Sequence, residues 1–283
     1  MTVTDQGTGR RAAVLGSPIA HSLSPVLHRA AYAAMGLADW RYDAIECAEN
    51  GLADLVGGLG PEWAGLSLTM PLKRAVLPLL DTVSDLAVAV GGANTVVFRD
   101  GARHGENTDV YGIVQALAEA GVPAPASAVI LGGGATAASA VAALRDTGLA
   151  EVTLVVRDPA RAGETLRVAE RLGTTVTVRS LGDFDPAADL VVSTLPSGAA
   201  DALAERVAAR LPEKAALFDV VYAPWPTALA AAVRARGRTV IGGFPMLLHQ
   251  AVRQAELMTG RADVPVEAMR AAGEAEIARR AAA

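Results

Sequence analysis

The sequence predicts an α/β protein of two domains, and three observations carry that expectation. With 283 residues, the chain is long enough at roughly 150 residues per domain to bury two separate cores. Short strand-like runs alternate with longer runs of helical period from end to end, the rhythm of sheets wrapped by helices. Near the middle, the triplet Gly132-Gly133-Gly134 directly follows an apolar strand and directly precedes an alanine-rich helix, the sequence form of a Rossmann turn.

Taken in order, residues 12–15 read as a strand, 25–35 as a helix, 40–45 as a strand, 52–59 as a helix and 64–68 as a strand. Residues 72–80 and 83–90 both read as helical. Residues 94–98 and 102–106 read as a hairpin, because Asp100-Gly101 between them accepts the positive φ angles of a tight turn; the hairpin is expected to close the first sheet. A helix over 109–121, ended by glycine and striped by Val110, Ile113, Val114 and Leu117, is expected to bridge the domains.

The second domain repeats the alternation, with strands at 128–131, 152–156, 175–178, 190–193, 215–220 and 239–241 and helices at 135–145, 160–172, 199–210 and 227–236. Repeated βαβ units of this length imply a parallel sheet covered by helices. Two terminal helices, 246–258 and 266–279, are expected to return to the first domain, so that it comprises 1–108 and 244–283 and the Rossmann domain 109–243. Only two crossings, near Asp109 and Gly243, would join them, which suits domain closure.

Composition narrows the function. Thirty acidic against 25 basic residues leave a net charge of −5, which argues against a nucleic-acid or anionic-membrane surface and for small-molecule partners. Residues 120–144 carry no charge and are long enough for a membrane span, but Pro123, Pro125 and the glycine triplet divide them. Arg10-Arg11 before an apolar run mimics a signal segment until Gly16 and Pro18 interrupt it, and a soluble protein is expected. Cys47 is the only cysteine, so no intrachain disulfide forms and a reducing cytoplasm is the expectation. His21, His28, His104 and His249 have no metal-ligand spacing, and no metal is expected. Lys73 and Lys214 are the only lysines, and each invites a question because arginine does not release a proton near neutral pH.

The chemistry-bearing segments follow. Gly132, Gly134 and Ala137 form G-x-G-x-x-A, which aims helix amides at a pyrophosphate. About 20 residues beyond such a turn the adenosine ribose is read, and there Val156, Arg157 and Asp158 end a strand, with Arg161 a turn later. The arginines favour NADP. Asp158 favours NAD, or simply caps the helix that Pro159 starts. Ser22-Leu23-Ser24-Pro25 sits at a helix start, where two hydroxyls and free amides can hold a carboxylate or cap the helix. Thr69-Met70-Pro71-Leu72-Lys73 puts a lysine just past a buried strand, unless it is an ordinary surface residue. Asn94 and Asp109 stand at the two ends of the hairpin, where turn chemistry is the alternative.

Together these segments resemble the shikimate dehydrogenase family, which interconverts 3-dehydroshikimate and shikimate with NADP. The resemblance runs over nearly the whole chain in order: Ser-x-Ser-Pro, Thr-x-Pro-x-Lys, Gly-x-x-Asn-Thr, Asn-Thr-Asp, the glycine turn, Asp219-x-x-Tyr222-x-Pro224, and Gly243-Phe244-x-Met246-Leu247-x-x-Gln250. It implies that Ser22 and Ser24, helped by Tyr222, hold the substrate carboxylate, and that Thr69, Asn94, Asp109 and Gln250 bond the ring hydroxyls. Lys73 would give and take the proton, since an ammonium can stabilise and then protonate the oxygen that gains charge as hydride arrives; Asp109 would orient it. On the cofactor side the resemblance implies Gly132, Gly133, Gly134, Ala135 and Thr136 at the pyrophosphate, Arg157, Asp158 and Arg161 around the adenosine phosphate, Val220 and Gly243 beside the nicotinamide, and Asp85 near that end. It also implies an active site in the cleft between the domains.

The chain departs from the family pattern in places. Ser67-Leu68-Thr69 stands for Asn-Val-Thr, Val156-Arg157-Asp158 for Asn-Arg-Thr, Ser193-Thr194-Leu195-Pro196 for Asn-Ala-Thr-Ser, and Val220 for the more usual Met. Most of these fall on the cofactor side. An NAD-dependent quinate/shikimate dehydrogenase therefore stays open, as does a non-catalytic cofactor-binding sensor, although a sensor needs no proton-transfer pair. A homodimer through the first domain is also left open.

Overall fold

The structure, a computed structural model, describes residues 9–282, which divide into two units: residues up to Thr108 with those from Ala251 onward, and Asp109–Gln250. The first unit runs β1 (Arg11–Gly16), α1 (Ser24–Ala34), β2 (Arg41–Glu46), α2 (Glu49–Gly57), β3 (Trp63–Leu68), α3 (Leu72–Ala75), β4 (Thr82–Val83), α4 (Asp85–Val90), β5 (Thr95–Arg99) and β6 (Ala102–Glu106). Its sheet has the order β2-β1-β3-β5-β6-β4. β1 pairs parallel with β2 and β3, and β5 pairs antiparallel with β3 and β6. All six residues of β3 are buried, as expected of a strand covered on both faces. One face packs Leu15, Leu66, Leu68, Leu52, Val56 and Leu72 into a common core.

Three expectations in this unit are corrected. The hairpin does not close the sheet: the two-residue strand β4 pairs parallel with β6 and lies outside it. Residues 72–80 are not one helix but the four-residue α3 and a 3-10 turn, Leu77–Leu79, because Pro78 brings no N–H to an α-helical ladder. The helix expected from 83 begins at Asp85, where the Ser84 Oγ accepts the Ala87 N–H at 3.3 Å and caps it.

The second unit runs α5 (Asp109–Glu119), β7 (Ala128–Leu131), α6 (Ala135–Asp146), β8 (Glu151–Val156), α7 (Gly163–Leu172), β9 (Thr175–Ser180), β10 (Leu190–Ser193), α8 (Ala204–Arg210), β11 (Ala216–Asp219), α9 (Ala228–Ala235) and β12 (Thr239–Ile241). All its strands are parallel, in the order β12-β11-β10-β7-β8-β9. This is the doubly wound Rossmann order, with its switch point between β7 and β10. The helices expected at 160–172 and 199–210 each open as a 3-10 turn, Pro159–Ala162 and Asp201–Leu203.

Helix α10 (Gly243–Thr259) starts before the expected 246, since Pro245 falls in its first turn, where proline is tolerated. The division into two units falls inside this helix, between Gln250 and Ala251. α11 (Val266–Ala281) packs along α1 in the first unit. Among the described residues no helix is long and apolar enough to cross a membrane, and no three His, Cys, Asp or Glu residues gather as a metal site.

Candidate active site

In the first unit the named residues collect at one edge of the sheet, beyond the carboxyl ends of β1 and β3 and the amino end of β5. Gly16 makes this possible, since a Cβ there would come within 2.3 Å of Thr69 Cγ2. Thr69 N–H donates to Leu15 O at 2.9 Å and Ser17 N–H to Met70 O at 3.0 Å, so the two strand ends are tied together. Lys73 follows in α3, half-buried, and its carbonyl accepts the Ala93 N–H at 2.8 Å, which fixes it against the segment carrying Asn94. Lys214 is exposed, like an ordinary surface residue.

Ser22 precedes α1, and its Oγ accepts the Ser24 N–H at 3.2 Å; Leu23, at the cap position, supplies no side-chain cap. Ser22 is thus not the N-cap residue, but its hydroxyl does accept a first-turn amide of α1. The loop is held from the end of the chain: Arg280 donates through Nη1 to His21 O at 2.6 Å and through Nη2 to Ser22 O at 3.4 Å. Glu276 accepts the Arg280 Nε–H at 2.7 Å, and Arg279 and Arg280 together hold the Glu276 carboxyl at about 2.

Asn94 is buried, and its Oδ1 accepts the Thr108 N–H at 2.8 Å while its Nδ2 donates to Thr108 Oγ1 at 3.0 Å. Asn107 Nδ2 donates to Gly92 O at 2.9 Å. These bonds fix both ends of the hairpin, and the next residue is Asp109, 4% exposed at the first position of α5. Asp85 is exposed in the first turn of α4.

The second unit carries the glycine turn. Gly132 has φ +110, and a Cβ would meet Thr194 Oγ1 at 2.4 Å, so only glycine fits. Gly134 stands at the N-cap of α6 with no side-chain cap, and a Cβ there would meet nothing within 4 Å; half-buried Ala135 and Thr136 are the first residues of the helix. A pocket of about 570 Å³ runs from this turn past Val156, Arg157 and Asp158 on one side and Leu195, Pro196 and Ala199 on the other. Uncapped amides, a cradle bare of side chains and an arginine at the far end fit a phosphorylated dinucleotide. Asp158 Oδ1 accepts the Ala160 N–H at 3.0 Å, so it caps the following turn. The Arg161 side chain lies outside the described residues.

Gly243 is the tightest position here: a Cβ would lie 1.9 Å from Val220 O. Asp219 anchors the half-buried Val220–Tyr222 segment by accepting the Thr227 Oγ1–H at 2.7 Å and the Val221 N–H at 3.3 Å; burial pushes its carboxyl above the usual carboxylate range. Gln250 is buried on α10, donates through Nε2 to Leu247 O at 2.8 Å and faces Gly112 of α5, where a Cβ would come within 3.0 Å of Gln250 Cβ.

A family model described as "Shikimate dehydrogenase substrate binding domain" matches residues 14–96, and one described as "Shikimate 5'-dehydrogenase C-terminal domain" matches residues 243–272. A Synechococcus protein named "Shikimate dehydrogenase (NADP(+))" is 37% identical over 96% of this chain and 96% of its own length. The chain belongs to the shikimate dehydrogenase family. Its fold matches the shikimate dehydrogenase of Mycobacterium tuberculosis with a TM-score of 0.86 at 43% identity, over 94% of this chain and 99% of that one. It also matches the Thermus thermophilus shikimate 5-dehydrogenase in complex with NADP(H) and shikimate, with a TM-score of 0.82 at 34% identity over 94% and 98% of the two chains.

Set against the shikimate dehydrogenase motifs, the sequence reasoning missed Arg280 and Gln254. Gln254 lies one helical turn beyond Gln250, 1% exposed, and its Nε2 donates to Asn94 O at 3.1 Å. A second buried glutamine at i+4 on a largely apolar helix was the available signal.

Proposed function

We propose that this protein catalyses the reversible NADPH-dependent reduction of 3-dehydroshikimate to shikimate. The observation that carries the reading is the gathering of Ser22, Ser24, Thr69, Lys73 and Asn94 at one sheet edge, in a chain that matches NADP-dependent shikimate dehydrogenases over almost its full length. Ser22 and Ser24, with Tyr222, bind the substrate carboxylate; Thr69, Asn94, Asp109 and Gln250 bond the ring hydroxyls. Lys73 stabilises the charge that develops on the carbonyl oxygen and delivers the proton to it, and in the reverse direction removes the hydroxyl proton. Asp109 orients Lys73.

Bound NADPH supplies the hydride. Gly132, Gly133, Gly134, Ala135 and Thr136 would hold its pyrophosphate at the amides of α6, Arg157, with Arg161 as the resemblance implies, would take the adenosine phosphate, and Val220 and Gly243 would lie at the nicotinamide end. The commitment of Asp158 to the Ala160 amide leaves it less suited to reading the ribose hydroxyls of NAD. The lone thiol, Cys47, is buried and suits a reducing cytoplasm.

The deciding experiment is a steady-state comparison of shikimate and quinate, each with NADP and with NAD. Shikimate with NADP should exceed every other pair in kcat/KM by at least about tenfold. A preference for quinate with NAD would overturn the reading.

A further inference from the structure

Strand β3 and helix α10 meet along two matching rungs. Gly65 and Ser67 stand two apart on the strand and share a face; Gln254 and Met258 stand four apart on the helix and share another. A Cβ at Gly65 would come within 2.6 Å of Met258 Cγ, so glycine lets the helix lie this close. One rung along, that approach brings Gln254 to Ser67.

From there each proton has one direction. Tyr42 Oη donates to Ser67 Oγ at 2.6 Å, and Ser67 Oγ donates to Gln254 Oε1 at 2.7 Å. With Oε1 accepting, Nε2 is the donor end of the amide, and it reaches Asn94 O at 3.1 Å and Thr95 Oγ1 at 3.0 Å. Thr95 Oγ1, accepting there, donates its own hydrogen to Asn94 Oδ1 at 2.9 Å. His28 Nε2 lies 3.4 Å from the same Gln254 Oε1, a second donor position on that oxygen. All these residues are buried, so water does not scramble the order.

We infer that Gln254 is a positioning residue for substrate binding: through its bond to Asn94 O and, by way of Thr95, a second donor beside the Thr108 N–H on Asn94 Oδ1, it holds the Asn94 amide in place, so that the site meets a substrate hydroxyl with the amide nitrogen, a donor. The inference rests on the reading of Asn94 as a substrate-binding residue. It assigns the network a task beyond filling the core: the Thr108 N–H sets which way round the Asn94 amide lies, and an apolar side chain of the same shape at 254 would fill the space but remove the second anchor on that residue.

The test is a double-mutant cycle between Asn94→Ala and Gln254→Met in the full-length enzyme, with kcat and the KM of both shikimate and coenzyme measured for each variant. Methionine keeps the length of the side chain and removes both polar atoms. Gln254→Met should raise the shikimate KM about tenfold and leave kcat and the coenzyme KM within about twofold; in the Asn94→Ala background the same change should matter less than about twofold. Effects that multiply independently in the double variant overturn the inference, as does an equal rise in both KM values, the mark of a general structural loss.

Thr95→Val cuts the chain at its last link and leaves Gln254 bonded to Ser67 and to Asn94 O. It should reproduce the rise in shikimate KM, and Thr95→Ser, which keeps the hydroxyl, should restore the wild-type value. A silent Thr95→Val overturns the inference even if Gln254→Met does not fold. Should Asn94→Ala alone leave the shikimate KM unchanged, the assignment of Asn94 fails, and this inference with it, whereas a raised KM in Asn94→Ala with an additive cycle defeats the inference alone.

Discussion

Between pH 6.5 and about 4.5, acid should destabilise the first unit through His28. Its ring is fully buried and stacked on Tyr42 with 4.0 Å between ring centres. Burial lowers its pKa from 6.5 to about 3, partly opposed by the contact with Gln254. Below 6.5 the unfolded chain binds a proton on this ring that the folded chain refuses until about 3, so the stability linked to it is complete above 6.5 and lost as pH falls. At about 1.4 kcal/mol per pH unit the loss is about 3 kcal/mol near pH 4.5 and of order 5 kcal/mol near pH 3, against roughly 5–15 kcal/mol for a whole domain. Urea unfolding across this range measures it, followed by tryptophan fluorescence in a Trp225→Phe background that leaves Trp40 and Trp63, both in the first unit, as reporters. His28→Phe keeps a ring against Tyr42 but takes no proton. Between pH 6.5 and about 4.5 the parent should lose about 3 kcal/mol more than His28→Phe. Parallel losses in the two proteins would refute the reasoning.

Lys73→Ala should lower kcat by about 10²–10⁴-fold while changing the shikimate KM by less than about fivefold; turnover near the parent level would remove Lys73 from the chemistry. Arg157→Ala should raise the KM for NADP at least about tenfold and leave that for NAD almost unchanged, and equal changes would mean that it does not read the phosphate. Gly243→Ala, whose Cβ would lie 1.9 Å from Val220 O, should cost about 1–3 kcal/mol in thermal unfolding and raise the coenzyme KM. Gly51→Ala is its counterpart: helical, exposed and with nothing within 4 Å of the new Cβ, it should stabilise by about 0.5–1 kcal/mol.

The parts of the fold that were legible in the sequence were those that local physics determines. Short apolar runs alternating with helical ones placed the Rossmann strands, and Gly132, Gly134 and Ala137 marked the turn where β7 gives way to α6. The motifs could be assigned to strand ends because Thr69 follows a fully buried strand and Asn94 opens a hairpin. Strand β4 escaped because two residues carry no period, and its partner His104 lies beyond an intervening helix and strand. The start of α10 escaped because Gly243-Phe244-Pro245 reads as a break, although a first helical turn accepts proline. Gln254 and Arg280 escaped for a different reason: their partners Ser67 and Ser22 stand 187 and 258 residues away, and no spacing rule joins residues that only tertiary packing brings together. In a chain with 25 basic residues, 23 of them arginine, one more arginine in the last helix carries no signal.

The clasp that Arg280 forms on the Ser22 loop has a consequence for the order in which the molecule is made. The Rossmann unit is one continuous stretch, Asp109–Gln250, so a ribosome delivers all of it before the chain is finished. The unit that starts first is completed last: its opening loop waits for α11, and Ser67 waits for Gln254 on α10. Long-range closure of this kind is slow relative to local folding. During synthesis, the pocket at the glycine turn can therefore form before the Ser22 loop is clasped, because that clasp waits for the docking of α11.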